Sequence, residues 1–310
     1  MFVIGRSLSF DAVGGARAAE AAGFDGVRVI DHFFSGIPPE RPVAVPHAVA
    51  TLAAAAAVTD RVLLTQTMFA ATMRHPVELA QAVATLDRIS GGRAELGLGA
   101  AWLPAEHHAT GLALGSPAER VERLCEAVTI SAEMLRNDGV VDFDGHHFRA
   151  HIDVAWPATP SVPEVMVGAH GPVTIRRVAP IVDRIDLLEA MLGGRPNFDD
   201  RHSNSIEELA RRIALATSNT DHHLRFSATV NLQVVEPDQL RTSQETLAAL
   251  AGCEVSTIEA ERLRLVTSAD EALDRFKELA DIGIDRLHVR PADAATEEWL
   301  TSALPALQAL

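Results

Sequence analysis

Much is excluded by what this chain does not contain. It has no run of about eighteen apolar residues, the length a bilayer-spanning helix needs, and the alanine-rich residues 51–58 are too short to cross a membrane. Its first residues do not follow the charged-then-apolar pattern of a secretory leader, so the expected location is the cytoplasm. Basic residues are few: 27 against 42 acidic, a net charge of −15. That balance argues against nucleic acid or an anionic membrane as partner, although an anionic cofactor needs only a local positive site. Two cysteines, Cys125 and Cys253, stand far apart and follow no metal-ligand spacing. Cys125 falls inside a helical pattern and reads as a core thiol in a reducing compartment.

Familiar motifs are missing too. No GxGxxG follows the first strand, as a doubly wound dinucleotide-binding sheet would require, and no GxSxG marks a nucleophile elbow. His146-His147 and His222-His223 are adjacent pairs. They lack the i, i+4 spacing that sets two imidazoles on one helix face, so no metal is expected.

What is there is ample for one large core: 310 residues, 47% hydrophobic and 22% charged. Short apolar strands are expected at 2–7, 26–30, 61–69, 93–98, 165–167, 184–188, within 224–235 and at 286–290. Helical patterns separate them, among them 11–22 closed by Gly23, and 76–89 with Pro76 in its first turn. Another, opened by Ser116-Pro117-Ala118-Glu119 as a capping box, runs to Arg136. Eight strands alternating with helices point to a (β/α)₈ TIM barrel, and a chain of this length commonly forms one such domain. We therefore expect a single domain over 1–310, with insertions at about 139–162 and 193–204. The first insertion carries the hairpin signature of alternating aromatics around Asp144-Gly145.

Chemistry in a barrel sits where strands end at their C-terminal side, and four stretches fall there. Asp31-His32 closes the second strand, and a histidine titrates near neutral pH. From spacing alone, a capped strand end with a solvated histidine fits better. Gln66, Thr67, Met68, Phe69 and Ala70 end the third strand with an unusual mix of sizes. Gly97 and Gly99 end the fourth, leaving backbone bare for a ligand, followed by Ala100, Ala101 and Trp102. Gly168, Ala169, His170, Gly171, Pro172, Val173 and Thr174 join a strand to a helix, where free N–H groups and the helix dipole converge on a phosphate. Arg176 or Arg177 could add charge or be solvated. His288 and Arg290 alternate on the eighth strand, with nothing to decide which enters the mouth. Glu106, His107 and His108 read as the start of a surface helix.

The run LDxxSGGRxxLGLGxxW over residues 86–102, with Arg74-His75-Pro76 before it and Val167-Gly168-Ala169-His170-Gly171-Pro172 after it, resembles the bacterial luciferase-like family of flavin- and deazaflavin-dependent oxidoreductases. The resemblance spans about 2–290 and is weakest over 196–265. It implies a luciferase-like TIM barrel that is often dimeric, so a homodimer is expected. It also implies an Asp-His pair beside the reactive ring, with His32 moving a proton and Asp31 orienting it. A non-proline cis peptide is implied near the third strand's end, which we place at Phe69-Ala70. Ring and tail would be lined by Gln66, Met68, Phe69 and Ala70 with Gly97, Gly99, Ala100, Ala101 and Trp102, and the phosphate held by residues 168–174.

Sugar-phosphate dehydrogenases of the family carry a glutamate proton donor after the GxG; Ala100 stands there in this chain, and Glu106, His107 and His108, a few residues on, could substitute if they do not simply open a surface helix. The deazaflavin F420 is favoured over FMN as cofactor because of Asp31-His32. The expected reaction is hydride transfer to or from a small organic molecule, with an apolar body suggested by Phe33, Phe34, Met68, Phe69 and Trp102. The alternatives are an FMN-dependent monooxygenase using oxygen and a reductase partner, and a barrel without catalysis. The departure from the family's Ala-Asp-Gly-Trp to Val182-Asp183-Arg184-Ile185 speaks for the last.

Overall fold

The computed structural model describes residues 3–35, 43–156, 160–187, 205–251, 254–260 and 265–310. Eight parallel strands form the expected barrel: β1 (Val3–Ser7), β2 (Gly26–Val29), β3 (Leu63–Gln66), β4 (Leu96–Gly99), β5 (Val165–Gly168), β6 (Arg184–Asp186), β7 (Arg225–Val234) and β8 (Ile284–Pro291). From β3 the ring runs through β2, β1, β8, β7, β6 and β5 to β4. It closes where Phe69–Ala70, just beyond β3, pairs with Leu98 and Gly99, and where Leu64 bridges Ala94. Two small elements had no clear sequence signal: the helix Val255–Ala260 and the strand Leu265–Val266, which pairs with the far end of β7. Cys253 and the second insertion, 193–204, lie outside the described residues. Among those described, no helix is long and apolar enough to cross a membrane.

The helices begin and end where their sequence says. Asp11 accepts the Gly14 N–H ahead of Ala12–Ala22, and Gly23 closes that helix in the left-handed conformation. Pro76–Ser90 ends the same way at Gly91. Beyond that turn Asp87 holds the chain leading into β4: its carbonyl accepts the Gly92 N–H and its carboxylate the Ala94 N–H. Pro117–Arg136 starts with the full reciprocal box between Ser116 and Glu119.

The strands alternate with period two. Their apolar members, such as Ile185, Leu187, Leu287 and Val289, are buried with the helices in one large outer core. Their polar members fill the lumen, which in most barrels of this type is packed with branched aliphatics. Arg28 reaches across it to Ser7 (2.8 Å), Thr67 (2.6 Å) and Thr229 (3.3 Å). Arg286 donates to Glu95 at 2.7 Å, and Arg184 pairs with Glu164 and Asp285. Asp186 accepts from Ser227 at 2.7 Å. His288 lies among these groups, 1% exposed; among the described residues neither ring nitrogen has a hydrogen-bond partner, and Nε2 lies 3.8 Å from Asp186 Oδ2. Residues two apart on a strand share a face, so His288 and Arg290 both point inward. His288 is deep and Arg290 half-buried toward the mouth.

Between β3 and β4 one side chain substitutes for backbone pairing. Gln66 is fully buried; its amide donates to the Glu95 carbonyl at 2.6 Å and accepts the Gly97 N–H at 2.8 Å. A Cβ on Gly97 would run into the Gln66 carbonyl oxygen, and one on Gly99 would meet the Met68 side chain at 3.0 Å. The two glycines thus admit the neighbouring strand.

Two outcomes follow. Gly97→Ala should destabilise the fold by about 3 kcal/mol or more, because backbone must move. Gly171→Ala, with nothing within 4 Å of the new methyl, should stay within about 0.5 kcal/mol of the parent in urea denaturation. Equal midpoints would contradict the packing described.

Burial, then the guanidinium groups of Arg28, Arg286 and Arg184, hold His288 well below the ordinary histidine range. The unfolded chain therefore binds a proton that the folded one refuses. Stability from this group is full above about pH 6.5 and falls as pH drops toward the folded value, by up to about 1.4 kcal/mol per pH unit. His288→Met should flatten that decline in denaturation series between about pH 6.5 and 5. An unchanged slope would contradict it.

Candidate active site

The C-terminal ends of β2, β3 and β4 converge at the barrel mouth. Asp31, just past β2, is 4% exposed. One of its carboxylate oxygens takes Arg74 as an ion pair and the Ala70 N–H at 3.3 Å. Arg74 also lies over the Phe69 ring, 5.6 Å from its centroid. Asp31 therefore fixes the bend after β3 and does not orient His32, as the sequence had suggested.

The partner of His32 is Glu106. His32 Nδ1 lies 2.9 Å from Glu106 Oε2, and the other carboxylate oxygen accepts the Phe33 N–H. Glu106 is fully buried in the first turn of the helix Pro104–Thr110, which overturns its reading as a surface residue. His107 beside it is also buried. Its Nδ1 lies 3.0 Å from the Leu103 carbonyl and its Nε2 2.8 Å from Thr72 Oγ1, tying this helix to the loop after Phe69–Ala70. Trp102 stands edge-on to His32, centroids 6.1 Å apart. Ala101, with φ 60°, makes the turn between β4 and that helix in the left-handed region.

A carboxylate on Nδ1 retains the proton there, which leaves Nε2 as the basic nitrogen. The His32 side chain is 21% exposed, and its Nε2 has no partner among the described residues. The pair can accept or deliver one proton at the mouth.

The other sequence candidates divide. The cis peptide lies at Thr67-Met68, two residues before the expected Phe69-Ala70. Phe69 is fully buried in the outer core and Gln66 is spent on β4, so neither lines the mouth. Met68 is half-buried against Gly97 and Gly99; Ala70 is buried, its N–H on Asp31. Ala100 and Trp102 are half-buried where β4 opens. Arg28, through Thr67, braces the cis segment from below.

At the end of β5, Ala169 is buried and its N–H donates to the Asp186 carbonyl at 3.0 Å. Gly171 is the N-cap of Pro172–Val178, with Pro172 at the helix start and no side-chain cap, and the space over Gly171 is open. Val173 is exposed and Thr174 half-buried. A cavity of about 370 Å³ lies alongside, lined by His170, Pro172 and Arg176 and, from the helix Ile206–Thr217, Glu208, Arg211 and Arg212. Burial, then Arg211, lower Arg212 to about 10, while Glu208 pairs with it at 2.9 Å. Arg176 and Arg177 are exposed on the helix.

Glu106 was the main residue misjudged. Its signal was present: a glutamate in the first turn after Pro104, within a few residues of a strand's C-terminal end. Arg74 was noted only as part of a motif, with no partner assigned to it.

Against known proteins, the model of the family described as luciferase-like monooxygenase matches residues 11–239. The chain is 29% identical to the F420-dependent glucose-6-phosphate dehydrogenase of Intrasporangium calvum, over 94% of this chain and 93% of that one. It is 27% identical to the enzyme of the same name from Amycolatopsis mediterranei, over 97% and 95%. Among solved structures, an F420-dependent secondary alcohol dehydrogenase in complex with an F420-acetone adduct superposes with TM-score 0.77 at 20% identity, covering 99% of both chains. The monooxygenase RslO1 from Streptomyces bottropensis gives 0.73 at 23% identity, covering 98% of this chain and 99% of that one. With the barrel, the bent third strand and a family match over most of its length, this chain belongs to the luciferase-like monooxygenase family.

Proposed function

We propose that the chain is an F420-dependent oxidoreductase acting on a small organic molecule with an apolar body, with His32 handling the proton. The observation that carries the reading is the His32–Glu106 pair: an imidazole at the mouth, held through Nδ1 by a buried carboxylate, with Nε2 left for the reaction. The relatives that align over nearly the whole chain are named F420-dependent, which favours the deazaflavin over FMN.

The residues present fit that group. The start of Pro172–Val178 offers N–H groups without a side-chain cap, and the space over Gly171 is open. Gly168 to Thr174 would hold the phosphate, and Met68, Ala70 and Ala100 to Trp102 would border the ring. When bound, the deazaflavin supplies a carbon in place of the flavin N5, which exchanges hydride with substrate and activates oxygen poorly.

The rest of the work falls to the chain. Asp31 and Arg74 keep the bend after β3 in place. Glu106 holds the Nδ1 proton of His32 and balances the charge when Nε2 gains a second. His32 then gives a proton to, or takes one from, the substrate oxygen whose carbon changes oxidation state. Phe33, Phe34 and Trp102 offer apolar surface to the substrate.

The test is steady-state turnover with F420 against a panel of alcohols and carbonyl compounds, glucose 6-phosphate included. His32→Ala should lower kcat by about 100-fold or more and leave coenzyme affinity within about threefold. Glu106→Gln, which keeps the shape but not the charge, should fall between the two. Full turnover in His32→Ala would refute the proton role.

A further inference from the structure

We propose that Glu122, His146 and His147 form a binding site for one transition-metal cation of the zinc type, outside the barrel mouth. The site lies where the first insertion folds back on a helix. Val141–Asp144 and Arg149–Ile152 pair as an antiparallel hairpin, and its turn rests on Pro117–Arg136. Glu122 and Glu126 are one turn apart on that helix and face the same way.

Glu126 is the clamp. Its carboxylate accepts the N–H groups of His146 (2.8 Å), His147 (2.8 Å) and Phe148 (2.9 Å). Gly145 permits this approach, since a Cβ there would strike the same carboxylate. The backbone of both histidines is thus fixed before any ligand arrives.

Their side chains meet over Glu122. His147 Nε2 lies 3.5 Å and His146 Nδ1 3.9 Å from Glu122 Oε2, and the three atoms lie within 4.8 Å of one another. Ligand atoms about 2.0–2.1 Å from a tetrahedral zinc are about 3.3 Å apart, so modest side-chain rotation closes the site. His146, whose side chain is 80% exposed, is free to make that rotation. His147 Nε2 is buried and has no hydrogen-bond partner among the described residues, a donor atom aimed at a carboxylate. Two imidazoles and a carboxylate suit zinc, nickel or copper(II) better than magnesium or calcium, and leave a fourth position for water. Adjacent histidines cannot share a helix face, but on a turn with the third ligand from a helix they can converge. Bound metal would staple the insertion to the helix.

The experiment is calorimetric titration of the full-length, tag-free, chelator-treated protein with zinc chloride, followed by thermal denaturation with and without zinc. One equivalent should bind with micromolar or tighter affinity and raise Tm by mass action. His146→Ala, at an exposed position that the fold does not need, and Glu122→Gln should each weaken binding by about tenfold or more and abolish the Tm shift. The absence of saturable micromolar binding would overturn the proposal, as would unchanged affinity in both variants.

Discussion

The barrel closes through a side chain. A parallel strand that bends away from its neighbour leaves backbone donors and acceptors facing nothing, and buried orphans of that kind cost roughly 1–3 kcal/mol each. Gln66 answers this by placing its own amide between Glu95 and Gly97, as a stretch of backbone would. The bend can then pass close over β4 because positions 97 and 99 carry no side chain. Asp31 and Arg74 hold the bend from the mouth, and Arg28 braces it from the lumen through Thr67. The mouth is shaped by these contacts.

The lumen adds a second constraint. Arg28, Arg184 and Arg286 share it with Glu95, Glu164 and Asp186, so each charge has opposite charges near it. Burial still acts on the individual groups. It pushes the Asp186 carboxyl up, against the opposing pull of Ser227 and the nearby arginines, and the Glu164 carboxyl up with help from Glu95. Replacing one partner of such an arrangement strands the other in a place water does not reach. The floor beneath the mouth is therefore less tolerant of single changes than an aliphatic barrel centre.

Much of the fold was legible in the chain. Asp11, Gly23, Gly91 and the Ser116–Glu119 box each act as their residue types dictate, and the eight strands fall where short apolar runs lie. The lumen was legible too, in Arg286-Leu287-His288-Val289-Arg290 and Arg184-Ile185-Asp186-Leu187, had alternation been read as a statement about the inside. The partners of the site were not. Whether Asp31 meets His32 or Arg74 depends on where a loop some forty residues on returns, and Glu106 lies seventy-four residues from His32. Local pattern carries no information about such meetings. The glycines were legible as bare backbone, but not that the neighbouring strand passes close over them.

The central claim is that this mouth is built for a deazaflavin. Fluorescence titration of the purified apoprotein with F420 and, separately, with FMN tests it most directly. Saturable binding of F420 at micromolar concentration, not displaced by FMN, is expected. Preferential binding of FMN, or of neither, would contradict it.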